Sequence, residues 1–362
     1  MSATSSPADL ELRNGPSSPK YVLESLTSEE QQTWDSRISS YQTAQLFHRR
    51  TWLNYLAESQ RVEIHYWAIR EAGTTVGYFC GGVFNKGRFR ILGSPLKSWG
   101  TNFMGPIVNT DFSIEAFLQA LDELASREGI AALEIENPIL DAKLMSVWGY
   151  EVRTDSTYVI SLTPHDEEQV WRRIDGKDRS TVRKARRLGL KVVECTDASM
   201  TDEYYDQFME VMTRKGLFPP YDRDRPRLLF KHLYPKDMLL ALQILSPEGQ
   251  PIASGLFPHD DRTIYYWGGA SRATGRQYSP NDLMHWSVLE WALKRGLTAY
   301  NMCGPGKFKQ KFGGELVTIR RWQKYYSPMA RWGRAAYARY HGVRTKVLGR
   351  WGRMTHAGGG SQ

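Results

Sequence analysis

The sequence offers little for metal or disulfide chemistry. Its 362 residues include only three cysteines, Cys80, Cys195 and Cys303, an odd and scattered set that favours a reduced, cytoplasmic setting. The eight histidines are dispersed, and neither H-E-x-x-H nor C-x-x-C occurs. We therefore predict no bound metal and no permanently bound cofactor.

The motifs of several enzyme classes and of membrane proteins are missing as well. Neither G-x-S-x-G nor G-x-x-x-x-G-K-[ST] is found, which argues against serine hydrolases and P-loop enzymes. No apolar run approaches the roughly 18–20 residues of a membrane span. Residues 1–20 lack the basic start and apolar centre of a signal peptide, and we predict a disordered leader there.

What is present describes a globular protein with a rich aromatic supply. The chain is 41% hydrophobic and 24% charged, and it contains 12 tryptophans and 19 tyrosines, which suit cores and groove walls. Its net charge of +9 is uneven: residues 172–191 carry +7, residues 328–362 carry another +7, and the remainder is −5. Two basic blocks on an acidic body favour an anionic partner or surface.

The order of predicted elements repeats along the chain. Residues 123–138, ELASREGIAALEIENP, align without gaps on residues 290–305, EWALKRGLTAYNMCGP, at an offset of 167 with five identities in sixteen positions. About one identity is expected from average composition. We predict an α/β (α+β, mixed-sheet) protein with two tandem domains from an internal duplication, at 21–162 and 163–327, and a basic tail at 328–362.

The second repeat has the most informative segment. A helix is predicted over 280–295, with Ser279 as N-cap, Asp282 in a capping box and Gly296 as the C-terminal stop. A strand over 298–303 follows, then the Gly304-Pro305-Gly306 break and the basic aromatic segment FKQKFGG at 308–314. A helix start beside a lysine-rich turn suits an anionic ligand; a core strand with a solvated loop is the alternative.

A strand meander followed by a helix and a strand is the core order of GNAT acyltransferases. Their donor lies between two diverging central strands, which here would be residues 263–271 and 298–303. Acyl transfer at such a site needs few side chains, because backbone amides polarise the carbonyl and a cation or hydroxyl stabilises the developing charge.

The second half resembles the FemABX branch of the GNAT superfamily and its FemAB-like relatives. The resemblance rests on segments at 178–194, 218–221, 264–272, 278–296, 300–304 and 308–316. The family's Phe-Lys-x-x-aromatic-Gly motif is met by Phe308, Lys309, Phe312 and Gly313. The resemblance implies aminoacyl or acyl transfer to an amine, with Lys309 near the reacting carbonyl.

From these motifs we select the candidate site. Lys309, Phe308 and Tyr266 form the candidate catalytic set. The candidate substrate-binding residues are Arg183, Arg187, Tyr221, Trp267, Asn281, Asn301 and Lys311. For Arg183 and Arg187 a solvated helix face is the alternative, and for Tyr221 a simple loop is.

The sequence departs from the family pattern in three places. Asn301 stands where the family often has Asp, so a carboxylate role is not expected there. The CoA pyrophosphate loop is met only in part by residues 272–277, and Pro280 removes an amide from the helix start. Together with the +7 on residues 172–191, these last two departures favour aminoacyl-tRNA or another large carrier over acyl-CoA as the donor co-substrate. The expected acceptor is an amine-bearing envelope or sugar precursor.

Two other functions remain open: an acyl-CoA-dependent N-acyltransferase acting on a small amino sugar, and a non-catalytic tandem-GNAT binding module. The tail from Arg331 to Arg353 is predicted to form a basic helix for peripheral contact with an anionic membrane or RNA, or one docked on the domain.

Overall fold

The computed structural model describes residues 19–333. The predicted leader and nearly all of the basic tail therefore lie outside the described residues. The N-terminal half contains β1 (Val22–Ser25), α1 (Ser28–Gln32), α2 (Trp34–Ile38), α3 (Arg50–Gln60), β2 (Glu63–Glu71), β3 (Thr74–Lys86), β4 (Phe89–Ser94), β5 (Ile107–Val108), α4 (Ile114–Arg127), β6 (Ile130–Glu136), α5 (Ala142–Val147) and β7 (Glu151–Ser161).

The C-terminal half opens with two added helices and then repeats the order. It contains α6 (Glu167–Arg173), α7 (Gly176–Arg187), β8 (Lys191–Glu194), α8 (Met200–Lys215), α9 (Asp224–Leu233), β9 (Leu239–Leu245), β10 (Pro251–Pro258), β11 (Thr263–Tyr265), β12 (Gly268–Ser271), α10 (Pro280–Lys294), β13 (Ala299–Asn301), α11 (Lys307–Gln310) and β14 (Glu315–Tyr325). Within residues 19–333 no helix is long and apolar enough to cross a membrane.

The repeat predicted from the sequence is visible in the geometry. Helices α4 and α10 end at Arg127 and Lys294, 167 positions apart. Each is followed by a glycine in the left-handed region, Gly129 at φ +64° and Gly296 at φ +73°, which then leads into the next strand. The prediction of two tandem mixed α/β domains is thus confirmed.

The strands form two mixed or antiparallel sheets that join the halves. The large sheet has the order β1-β2-β3-β4-β6-β14-β7-β13-β11, with β5 added beside β3, and the small sheet has the order β12-β10-β9-β8. Apolar faces of these sheets are covered by α4 in the N-terminal half and by α10 in the C-terminal half. Aromatic residues of both halves share a third cluster at their boundary.

The two halves exchange their last strands. β14, at the end of the C-terminal half, pairs with β6 of the N-terminal half from Arg321 to Tyr325. β7, at the end of the N-terminal half, pairs with β13 of the C-terminal half at residues 159–161. β7 and β14 also pair with each other over nine residues, from Glu315↔Val159 to Gln323↔Glu151. The proposed boundary at residue 163 thus remains a prediction, because each long strand contributes to both domains.

A buried ionic cluster fixes β14 in the N-terminal sheet. Arg321 forms ion pairs with Glu134 and Glu136 of β6, and Gln323 donates to Glu134 at 2.8 Å. The same carboxylates accept the N–H groups of Lys97 (2.7 Å) and Phe103 (3.0 Å). Strand exchange and the loop after β4 are therefore held by one set of contacts.

Candidate active site

The candidate site lies where a single predicted strand breaks in two. β11 runs parallel to β13, whereas β12 belongs to the small sheet and pairs with β10. Tyr266 donates its N–H to the Asn301 carbonyl at 2.9 Å, but the next N–H, of Trp267, donates to Leu256 on β10 at 3.2 Å. The chain therefore leaves β13 between Tyr266 and Trp267, and the predicted continuous strand 263–271 is corrected to two strands.

The break leaves the main chain of β12 at an open sheet edge. β12 is the first strand of its sheet, and Arg272 N–H bonds to the Ile252 carbonyl at 2.9 Å. Because paired residues in an antiparallel ladder alternate in hydrogen bonding, Gly269 and Ser271 direct their main-chain groups away from β10. A Cβ on Gly269 would lie 2.6 Å from the Tyr266 hydroxyl, so this position requires glycine.

Lys309 is fixed at the end of β13. The short helix α11 carries it, and its Nζ donates to the carbonyls of Met302 (2.6 Å) and Cys303 (3.1 Å). The ammonium also lies 5.3 Å from the centroid of the Tyr266 ring. Burial lowers the pKa of Lys309 below 10.5, because desolvation disfavours the charged form.

An aromatic cluster surrounds this lysine. Phe308 packs against His285 and Phe312, with centroid distances of 5.3 and 5.5 Å, and Tyr266 lies 4.7 Å from His285. Burial and the nearby Lys309 and Lys311 charges lower the pKa of His285 to about 3. His285 is therefore neutral at physiological pH, and its Nδ1 lies 2.7 Å from the Tyr300 hydroxyl.

The structure brings together the three candidate catalytic residues, as well as Trp267 and Tyr221. Trp267 follows Tyr266 directly, and its ring lies 5.3 Å from that of Tyr221. Tyr221 shares a 2.7 Å hydroxyl contact with Tyr204. Tyr221 is therefore packed against the strand break and does not belong to a simple exposed loop.

Asn301 and Asn281 have structural contacts of their own. The Asn301 side-chain oxygen accepts from the Thr157 hydroxyl (2.7 Å) and from Cys303 N–H (2.9 Å), and it therefore ties β13 to the exchanged strand β7. Asn281 Nδ2 lies 3.4 Å from Ser271 Oγ at the end of β12. A substrate contact by either amide stays a prediction.

The capping prediction for α10 is wrong, because Asp282 is bound by Lys311, whose substrate contact stays a prediction. Ser279 adopts φ +54° and makes no side-chain cap. Asp282 forms an ion pair with Lys311, whose ammonium also lies 2.9 Å from Asp178 on α7. Lys311 thus joins α7, α10 and the segment after α11 internally.

The basic helix presents Arg183 and Arg187 to solvent. Both are exposed, and the Arg183 guanidinium lies 5.4 Å from the Trp171 ring centroid. Arg186 pairs with Glu290 at 2.6 Å. A contact of Arg183 or Arg187 with an anionic partner stays a prediction.

The corresponding strand pair of the N-terminal half has different surroundings. β4 and β6 are parallel neighbours like β11 and β13, but the loop after β4 turns inward, with Leu96, Trp99 and Met104 buried. Glu134 and Glu136, which the 167-residue offset aligns with Asn301 and Cys303, bind this loop and Arg321. The N-terminal half therefore has carboxylates where the C-terminal half has Asn301 and Cys303.

Sequence reasoning missed His285 and Cys303. Nothing in the spacing of His285 distinguishes it from a core residue on α10. Cys303 has φ +50° at the end of β13, a conformation that is uncommon for a side chain of this kind. The Gly304-Pro305-Gly306 break one residue later was the only sequence feature pointing to this bend.

Comparison with known proteins adds a likeness of sequence. Residues 176–311 match the family model described as an acetyltransferase (GNAT) domain, so this segment of the C-terminal half is similar to GNAT domains. A comparison with curated proteins gave no match.

Solved structures extend the likeness over most of the chain. The chain resembles FemX with a TM-score of 0.66 and 14% identity, over 82% of this chain and 96% of FemX. It also resembles a conserved protein of unknown function from Bacteroides thetaiotaomicron, with a TM-score of 0.55 and 12% identity over 83% of this chain and 98% of that protein. A tandem GNAT protein from the clavulanic acid biosynthesis pathway is similar with a TM-score of 0.52 and 11% identity, over 85% of this chain and 99% of that protein. The FemABX-like resemblance is therefore confirmed as a likeness of fold.

Proposed function

We propose that the chain moves an acyl or aminoacyl group from an activated carrier to an amine at the break between β11 and β12. Lys309 carries this proposal. An ammonium has three N–H donors, and two of them are directed at the Met302 and Cys303 carbonyls. The third would reach the carbonyl oxygen of the donor and stabilise the negative charge that develops when the amine attacks.

The surrounding groups favour attack by a neutral amine. The open edge of β12 would align the donor by main-chain hydrogen bonds, as an added strand does. His285, with a pKa of about 3, is a poor general base at neutral pH because it binds a proton too weakly. The acceptor would therefore enter as a neutral amine. After attack, its cationic nitrogen would lose a proton to solvent or to the leaving group.

Contacts around the partial CoA loop favour a donor other than free acyl-CoA. Arg272 is held by Glu203 at 2.7 Å, and Glu210 accepts the Ala273 N–H at 2.7 Å. Two carboxylates thus occupy the loop where a pyrophosphate would need positive charge and free amides. Together with Pro280 and the basic α7, this supports aminoacyl-tRNA or another large anionic carrier, with an envelope or polysaccharide precursor as the acceptor.

Charge reversal on α7 tests the donor. If tRNA contacts this helix, Arg183→Glu with Arg187→Glu should weaken binding of aminoacyl-tRNA by about 10-fold or more and reduce its salt dependence, because fewer counterions are released. Binding is measured at two salt concentrations, with acyl-CoA as the second ligand. Lys143→Glu with Arg153→Glu, which reverses two exposed charges of the N-terminal half outside this basic block, is the control.

An unchanged affinity and salt slope in the double variant would leave α7 as a solvated face. Acyl-CoA would then become the better donor, provided that it binds and that Arg272→Ala abolishes its binding.

The pH dependence tests the charge on Lys309. Its pKa lies below 10.5, so the ammonium is present below that pKa and is lost as pH rises through it. We expect turnover to fall on the alkaline side with an apparent pKa lower than that of free lysine. In Lys309→Arg the guanidinium stays charged, so this alkaline fall should disappear even if the maximum rate is lower. An identical alkaline fall in both proteins would assign it to another group.

A further inference from the structure

A small cavity lies beside the strand break, at the boundary between the two halves. Its volume is about 160 Å³. The walls include five aromatic rings, of Phe47 and Trp52 from the N-terminal half and of Tyr265, Tyr266 and Trp267 from the C-terminal half. Phe47, Trp52 and Tyr265 are buried, with exposed fractions of 1%, 0% and 3%. These three rings form a fixed inner wall.

The cavity suits a compact uncharged group. A cavity of about 150 Å³ that is lined by apolar side chains is large enough to bind benzene. The residues of the described chain that line this one include no Asp, Glu, Lys, Arg or His. A charged group entering it would therefore lose its hydration without gaining a counter-ion, which costs several kcal/mol.

The cavity is continuous with the candidate catalytic cluster through two residues. Tyr266 lines it and also lies 5.3 Å from Lys309 Nζ. Cys303 lines it and has its Sγ 3.7 Å from Nδ2 of Asn102, another lining residue, while its carbonyl accepts from Lys309 at 3.1 Å. A donor carbonyl oxygen bound by Lys309 would therefore lie beside Tyr266 and Cys303, which also line the cavity.

We propose that this aromatic cavity receives the side group of the transferred acyl or aminoacyl unit. It selects an uncharged group of about the size of one six-membered aromatic ring, with room for a methyl substituent but not for a second fused ring. This inference rests on the proposed function for the identity of the ligand, whereas the existence and size limit of the binding site can be tested without any transfer reaction.

Cys303 reports directly on occupancy of the cavity. The probe is methyl methanethiosulfonate, used at alkaline pH because burial raises the pKa of the Cys303 thiol to about 12. Cys195, another half-buried thiol, has a pKa of about 11 and lies beside β9, outside the cavity, where its N–H bonds to Ala241 at 2.8 Å. It is the internal control in each peptide map.

Toluene should slow the modification of Cys303 several-fold and leave that of Cys195 unchanged. Naphthalene, which is too large, and benzylammonium, which is charged, should protect neither thiol. Failure of toluene to protect Cys303 would overturn the cavity as a binding site. Equal protection by naphthalene would overturn the size limit, and protection by benzylammonium would overturn the restriction to uncharged groups.

Enlarging the cavity should shift the limit. In Trp267→Ala, naphthalene should protect Cys303, whereas Trp332→Ala, which removes an indole that is 77% exposed, should behave like the parent. With transferable donors, Trp267→Ala should raise the kcat/KM ratio of bulky to small acyl groups by at least about 10-fold, because a single methylene in a pocket already gives discrimination of that size and an indole is much larger.

The cavity as a binding site and the proposed transfer function can be tested separately. Protection by toluene without any acyl transfer would retain the cavity and reject the proposed function. Transfer without protection, and without a shift of acyl preference in Trp267→Ala, would retain the function and reject the cavity as the selecting site.

Discussion

Replacing Lys309 with alanine should lower turnover about 100- to 1,000-fold, the usual cost of losing one donor to a developing oxyanion. The expectation follows from its position: Nζ is fixed by the Met302 and Cys303 carbonyls and lies over Tyr266. Substrate binding should change much less, because the interaction strengthens as charge develops. Single-turnover rates and donor affinity, measured on the same samples, separate these effects.

Lys307→Ala is the matched control, since Lys307 lies in the same short helix and is exposed. It should retain the parent rate. Thermal unfolding of the Lys309 variant must also be compared, because two carbonyls lose their donor. Full turnover in Lys309→Ala would remove this lysine from the mechanism. A variant that still binds donor but no longer turns it over would argue against a purely binding role for the protein.

Replacing Arg321 with alanine should destabilise the whole chain by about 3–5 kcal/mol, the cost of leaving a buried charge without its partner. Arg321 is 8% exposed, and both of its carboxylate partners, Glu134 and Glu136, are buried. The loss of β14 from its place between β6 and β7 would also affect the C-terminal half, because β7 pairs with β13.

This effect is measured by urea unfolding, in which hydrogen exchange of peptides from both halves serves as the readout. Both halves should unfold in one transition that moves to lower urea in Arg321→Ala. Arg320→Ala, which removes the exposed neighbour, should stay close to the parent, as surface substitutions usually do. Separate transitions for the two halves would contradict the idea that the exchanged strands couple them.

Local signals in the sequence were sufficient for the repeat. Gly129 and Gly296 end equivalent helices because both need the left-handed region, and this requirement is visible as a glycine at a fixed offset. The candidate catalytic lysine came instead from the resemblance to the FemABX branch, whose motif is met by Phe308 and Lys309. The structure places these two residues beside Tyr266, whereas their roles stay predictions.

The remaining features depend on partners that are distant in sequence. The capping prediction for Asp282 failed because Lys311, 29 positions later, captures the carboxylate. The exchange of β7 and β14 could not be predicted, because both strands have ordinary alternating patterns and could pair within their own halves equally well. The cavity beside Tyr266 was missed because Phe47 and Trp52 reach it from the other half.

The exchanged strands also constrain how the chain reaches its native state during synthesis. The N-terminal sheet needs β14 between β6 and β7, so that half cannot be completed until residue 325 has left the ribosome. Until then, β14 cannot pair with the β6 edge, and Arg321 cannot bind the carboxylates of Glu134 and Glu136. We therefore expect the nascent chain to depend on protection of this edge until β14 has been synthesised, unlike a protein whose first domain folds as soon as it emerges.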